Sequence, residues 1–303
     1  MNLTSARSVA LAAIATACLS ASPPPPSGRF DGGRAYEHLR QLVSFGPRPS
    51  GSAALGQTRR YLTDQLHSLG ITVTEQPFDA DTPLGHVHMV NLIATLPGSS
   101  RDRLVVAGHY DTKSIREFRF VGASDGASSA AFLLELARVL KGRKNPLTIE
   151  LLFLDGEEAI IAWTGTDHTY GSRHYVEAAK RAGTLASVRA LILVDMIGDR
   201  HLNLHRDDNS TAWLTDEIWA ASRRLTLDEY FLESSTRIED DHLEFLQAGV
   251  PSVDLIDLDY PAWHSPNDTL DQVSARSLQI VGDVVIEALP AIEHKLAGHK
   301  KRS

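Results

Sequence analysis

The chain has 303 residues, 43% apolar and 22% charged, a balance that excludes a fibrous or disordered protein and leaves room for a sizeable core. Its formal charge of −8, without a basic stripe, excludes nucleic acid as the main partner. A single cysteine, Cys18, excludes an internal disulfide, so stability must come from the core and from any bound metal.

Arg7 precedes an apolar run, residues 9–19, that is too short to span a bilayer, and Ala15-Thr16-Ala17 offers small residues for cleavage. A signal peptide over residues 1–18 is therefore expected, giving an exported protein, periplasmic or extracellular, with no transmembrane span in its mature form. Cys18 is either discarded with the signal or carries the lipid of a membrane-anchored lipoprotein. Residues 19–32, with Pro23 to Pro26, read as a stiff tether. Residues 33–303 read as one catalytic domain, and no separate interface element argues against a monomer.

Residues 35–43 and 53–69 carry apolar side chains at helical spacing, separated by the Gly/Pro/Ser-rich loop 45–52. Strands are expected at 71–76, 88–96 and 104–107, the last ending at His109-Tyr110-Asp111. A helix over 127–140 precedes the strand 147–154, whose end delivers Asp155-Gly156-Glu157-Glu158. Then come a helix at 172–181, a strand at 190–194 before Asp195, and a helix at 213–223. A short helix at 241–247, a strand at 252–256 and a terminal helix at 275–288 complete the chain. This alternation predicts a single α/β domain with a mainly parallel, twisted, mixed sheet covered by helices on both faces. Ligands of such sheets bind beyond the carboxyl ends of the strands. The acids and histidines fall there.

Zinc takes nitrogen and oxygen ligands, and a catalytic zinc keeps one position open. Asp125, Glu158 and His264 would make one such site, and His109 and Asp195, with Asp125 bridging, a second. Asp125 alone could be a helix N-cap, and Glu157-Glu158 a solvated pair at a helix start. Three acids in four positions, however, repel one another unless a cation is near. Asp111 could orient His109 from behind. In Glu239-Asp240-Asp241-His242, an aspartate caps the following helix or shares a proton with Asp195.

Together these motifs resemble the zinc-dependent glutaminyl-peptide cyclotransferases (glutaminyl cyclases) of the aminopeptidase-like metallopeptidase superfamily, in their bacterial secreted form. The resemblance rests on His109-Tyr110-Asp111-Thr112-Lys113, Gly122-Ala123-Ser124-Asp125, the stretch from Phe153 to Ala159 with Trp163, Tyr170-Gly171-Ser172-Arg173-His174, Asp240-Asp241-His242 and Trp263-His264. It implies a zinc-aminopeptidase-like fold and one zinc on Asp125, Glu158 and His264. Glu157 would be general base and acid, Asp195 and Asp240 a carboxylate pair beside the reacting centre, and Trp163, Ile238, Tyr260 and Trp263 the pocket for an N-terminal glutamine. The implied activity is that of an acyltransferase. It converts N-terminal glutamine of peptides or proteins to pyroglutamate by zinc-assisted intramolecular aminolysis, releasing ammonia. The rival is a secreted di-zinc aminopeptidase that hydrolyses N-terminal residues. Trp163 and Trp263 favour a closed, dry pocket and so the cyclase. One departure stands out: the family has a histidine where this chain has Asp254, and an aspartate donates a hydrogen bond only when protonated.

Overall fold

A computed structural model describes residues 28–299. The expected signal segment with Cys18, and most of the tether, lie outside those residues. In chain order the strands are β1 (Thr72–Thr82), β2 (Gly85–Leu96), β3 (Ser100–His109), β4 (Leu147–Leu154), β5 (Val188–Asp195), β6 (Leu204–Asp207), β7 (Phe231–Thr236) and β8 (Ser252–Ile256). The helices are α1 (Gly32–Ser44), α2 (Ala53–Ser68), α3 (Ala127–Lys141), α4 (Tyr170–Arg181), α5 (Ala212–Arg224), α6 (His242–Gln247) and α7 (Ala275–His299).

Six strands form one mixed sheet in the order β1-β2-β4-β3-β5-β8, in which β4, β3, β5 and β8 run parallel and β2 pairs antiparallel with both β1 and β4. The parallel strands are buried on both faces, which is why they read as continuous apolar runs. Along β3, Leu104 and Val106 face the core under α1, α2, α3, α5 and α7, while Val105 and Ala107 face α4 and α6. Each aliphatic side chain buried in this way contributes roughly 1.5–3 kcal/mol. Because the parallel strands all point one way, His109, the segment after Leu154, Asp195 and Ile256 emerge along one edge of the sheet.

Three expectations are corrected. The tether does not extend to residue 32: Phe30 is buried with its ring 5.2 Å from Phe132, and Asp31 caps α1. The last helix runs on through Pro290, because Ile292 and Leu296 continue its buried face. An internal proline forfeits a hydrogen bond without forcing an end where packing continues. β6 and β7 form a separate two-stranded sheet unforeseen from the sequence, since Leu204–Asp207 and most of Phe231–Thr236 are short and polar. Among the described residues no helix is long and apolar enough to cross a membrane.

Candidate active site

A cavity of about 440 Å³ opens beyond the carboxyl ends of β4, β5 and β8. Asp125, Glu157, Glu158, Asp195, Asp240 and His264 are among its polar lining residues, as is Lys113, whose Nζ lies 3.4 Å from Glu158 Oε2, and Ile238, Met196, Ile256, Trp163 and Trp263 are among its apolar ones. Its size suits a small ligand or one side chain rather than a length of extended peptide. Tyr260 stands apart from this set: it packs behind the wall with Met196, Ile238 and Ile256, and its hydroxyl donates to Asp268 Oδ1 at 2.6 Å.

Local backbone sets each polar group. Gly126 (φ +84°) sits against His109, where a Cβ would meet Asp111 O at 2.3 Å. Gly156 (φ +74°) turns the chain sharply after β4, so that Glu157 and Glu158 both reach the cavity. His264 and Met196 also hold positive φ, 47° and 45°. For residues with side chains this costs on the order of 1 kcal/mol or more each, a strain that clusters at functional sites.

Two overlapping ligand sets result, His109–Asp125–Asp195 and Asp125–Glu158–His264, each with one atom per residue within 4.8 Å of the others. Asp125 bridges them, its Oδ1 lying 3.2 Å from His109 Nε2 and its Oδ2 3.3 Å from His264 Nε2. That Oδ2 is buried without a hydrogen bond, because His264 Nε2 is directed at Glu158 Oε1, 3.3 Å away. An orphaned buried carboxylate oxygen among imidazole and carboxylate donors fits a divalent cation of the zinc type. The electrostatics agree. Burial disfavours charge on His264, yet Asp125 and Glu158 outweigh it and raise its pKa to about 9, so the cluster calls for positive charge.

Glu157 is pushed well above the usual carboxylate range by burial, and further by Glu158, Asp240 and Asp195, against the pull of His109. Asp240 is raised by burial, then by Asp195 and Asp241. Asp254 is raised by burial and by the charges of Asp240 and Asp207. Both Asp254 carboxylate oxygens are buried without a hydrogen bond, so the aspartate does not take over a donor role at the departure noted in the sequence. Asp111 Oδ1 lies 3.4 Å from His109 Nδ1 without a hydrogen bond between them, and accepts the Glu157 N–H at 3.3 Å.

The tryptophans form a rim rather than a lid. Trp263 is 47% exposed and stacks on His264, and Trp163 stacks on His168 at 4.2 Å. The expected closed pocket is therefore open at its mouth.

Several supporting residues escaped the sequence reading. Asp268 accepts the Ser124 and Asp125 N–H groups and so orients the bridging carboxylate. Asp167 accepts from the Ile160, Ile161 and Ala162 N–H groups and from the Tyr170 hydroxyl, fixing the loop that bears Trp163. Fully buried Arg48 donates to the Gly46, Val121 and Gly122 carbonyls beneath the Asp125 loop, and burial lowers its pKa to about 10. The one local hint is that Asp167 and Asp268 each sit in a polar turn sequence.

Residues 91–289 match the model of peptidase family M28. A glutaminyl-peptide cyclotransferase of Drosophila melanogaster is 31% identical over 290 residues, covering 86% of this chain and 81% of that protein. A glutaminyl-peptide cyclotransferase-like protein of Mus musculus is 36% identical, over 76% of this chain and 68% of its own. The crystal structure of an Acidobacteriales bacterium glutaminyl cyclase superposes with a TM-score of 0.85 at 38% identity, covering 91% of this chain and 99% of that one. The chain belongs to peptidase family M28 and, within it, to the glutaminyl-peptide cyclotransferases. These relatives favour the cyclotransferase over the aminopeptidase.

Proposed function

We propose that this chain is a zinc-dependent glutaminyl-peptide cyclotransferase that closes the N-terminal glutamine of peptides or proteins to pyroglutamate and releases ammonia. The observation that carries this reading is the single small cavity in which the Asp125–Glu158–His264 set, Glu157 and the Asp195/Asp240 carboxylates face one another across an apolar wall. Asp125, Glu158 and His264 would hold a zinc ion, which would supply Lewis acidity to polarise the side-chain amide.

The chain's own groups do the rest. Ile238, Met196 and Ile256 take the methylenes of the glutamine side chain and keep water from the amide carbon. Trp163 and Trp263 contact the substrate at the mouth. Glu157 accepts a proton from the α-amine, whose nitrogen bonds to the amide carbon and closes a five-membered ring. The amide C–N bond then breaks, and Glu157 returns the proton to the departing ammonia. Asp195 and Asp240 hold the nitrogen groups beside Glu157 by hydrogen bonds. Holding amine and amide in one pocket removes much of the entropic barrier to ring closure. The apolar run at residues 9–19 supports export of the chain, with lipidation of Cys18 as the anchored alternative.

The test compares ammonia release from two peptides that differ only in whether the N-terminal glutamine carries a free or an acetylated amine. The zinc-loaded protein should release ammonia only from the free amine. Equal release from both would mean water, not the amine, is the nucleophile, and would end the reading.

A further inference from the structure

Asp207 lies at the end of β6, and no step above uses it. It is 5% exposed, and its two carboxylate oxygens reach opposite ends of one turn. Oδ1 accepts the Ile238 N–H at 3.0 Å, together with that of Asn209 at 3.0 Å. Oδ2 accepts from Ser210 Oγ at 2.7 Å and lies 3.1 Å from His242 Nε2. Asn209 adds a clasp on the first end, its side-chain N–H donating to Ile238 O at 2.6 Å. On the far side of the imidazole, His242 Nδ1 lies 3.6 Å from Asp254 Oδ2, and His242 is wholly buried. Asp240 sits between the two gripped ends, on the cavity wall next to Ile238.

We propose that Asp207 is a positioning residue for the cyclisation, setting Ile238 and Asp240 against the substrate by holding both ends of the 238–242 turn. The inference rests on the function proposed above. A hydrogen bond at the Ile238 end and a 3.1 Å carboxylate–imidazole contact at the His242 end leave the middle of this short turn little freedom, whereas loss of either lets the turn swing. Misplacement of a reacting group by ~1 Å costs on the order of a hundredfold in rate. Asp207 acts through the turn and is not itself on the cavity wall. Burial raises the pKa of Asp207, but His242, the Asn209 N–H and Ser210 outweigh it and hold the group below its ordinary value, consistent with an ionised anchor.

The experiment measures kcat and KM on a glutaminyl peptide for wild type, Asp207→Asn and Asp207→Ala, with kcat expressed per folded, zinc-bound molecule. Asparagine keeps an oxygen for the Ile238 and Asn209 N–H groups but changes the His242 end, and alanine frees both. Asp207→Ala should lose roughly tenfold to a hundredfold in kcat, and Asp207→Asn a smaller amount, at unchanged zinc content. If Asp207→Ala does not fold, the asparagine variant decides alone. Values of kcat within about twofold of wild type, once corrected for the folded and zinc-bound fraction, would overturn the proposal. A wild-type chain that does not cyclise the peptide would overturn the underlying reading and this one with it.

Discussion

The two ligand sets share Asp125 but differ in what completes them. His109 lies behind the cavity wall, 1% exposed, with its Nε2 hydrogen-bonded to Asp195 Oδ1 at 3.0 Å and 3.2 Å from Asp125 Oδ1. A cation there must displace the His109–Asp195 hydrogen bond. Glu158 and His264 lie on the cavity side, where Asp125 Oδ2 has no hydrogen bond and the His264 side chain is 27% exposed. The outer set has an acceptor to spare and access to substrate. Overlapping ligands therefore do not make equivalent sites. Under the proposed function, a metal at the outer set alone would suit ring closure better than a water held between two metals.

The sharpest way to break this comparison is to remove one histidine from each set. His264→Ala should abolish zinc binding and cyclisation, whereas His109→Ala should keep one zinc per chain by elemental analysis. Equal losses would mean the sets act as one. Next in size, Glu157→Gln should lower kcat by about a hundredfold to ten-thousandfold with zinc retained, because the amide cannot carry the proton. Arg48→Met tests the scaffold beneath Asp125. It strips the buried carbonyls of Gly46, Val121 and Gly122 of their donor and should cost about 3 kcal/mol in urea unfolding. Trp163→Ala should raise KM roughly tenfold with less change in kcat, since a stacked rim residue contributes mainly binding.

The smallest effect lies away from both sets. Burial, then Arg34, lowers the pKa of His38 to about 4 in the folded chain. The unfolded chain takes up that proton near the ordinary 6.5, so between the two values it binds more protons than the folded one. His38 should therefore destabilise the fold as pH falls from 6.5 toward 4, and His38→Asn should flatten that part of the melting-temperature profile. An unchanged profile would rule the contribution out.

The same contrast explains what the sequence made legible. β4 and β8 are each preceded by a proline, Pro146 and Pro251, and followed by an aspartate, Asp155 and Asp257, and their limits were readable to the residue. His109 and Asp195 end β3 and β5, and Glu158 follows β4, which is what makes these acids and this histidine conspicuous in the sequence. Asp268, Asp167, Arg48 and Asp207 were not, because each gains its role from backbone groups that the fold brings to it. A carboxylate that accepts distant N–H groups looks, in sequence, like any polar turn residue. Tyr260 fails in the opposite sense: its aromatic character fitted a pocket wall, but its hydroxyl is committed to Asp268.

The most direct test of the account is mass spectrometry of a peptide with N-terminal glutamine after incubation with the purified, zinc-loaded chain. The account predicts a product lighter by one ammonia, with its full residue count, above the spontaneous background and absent with Glu157→Gln. A peptide shortened by one residue, with free glutamine released, would contradict it and make the chain an aminopeptidase.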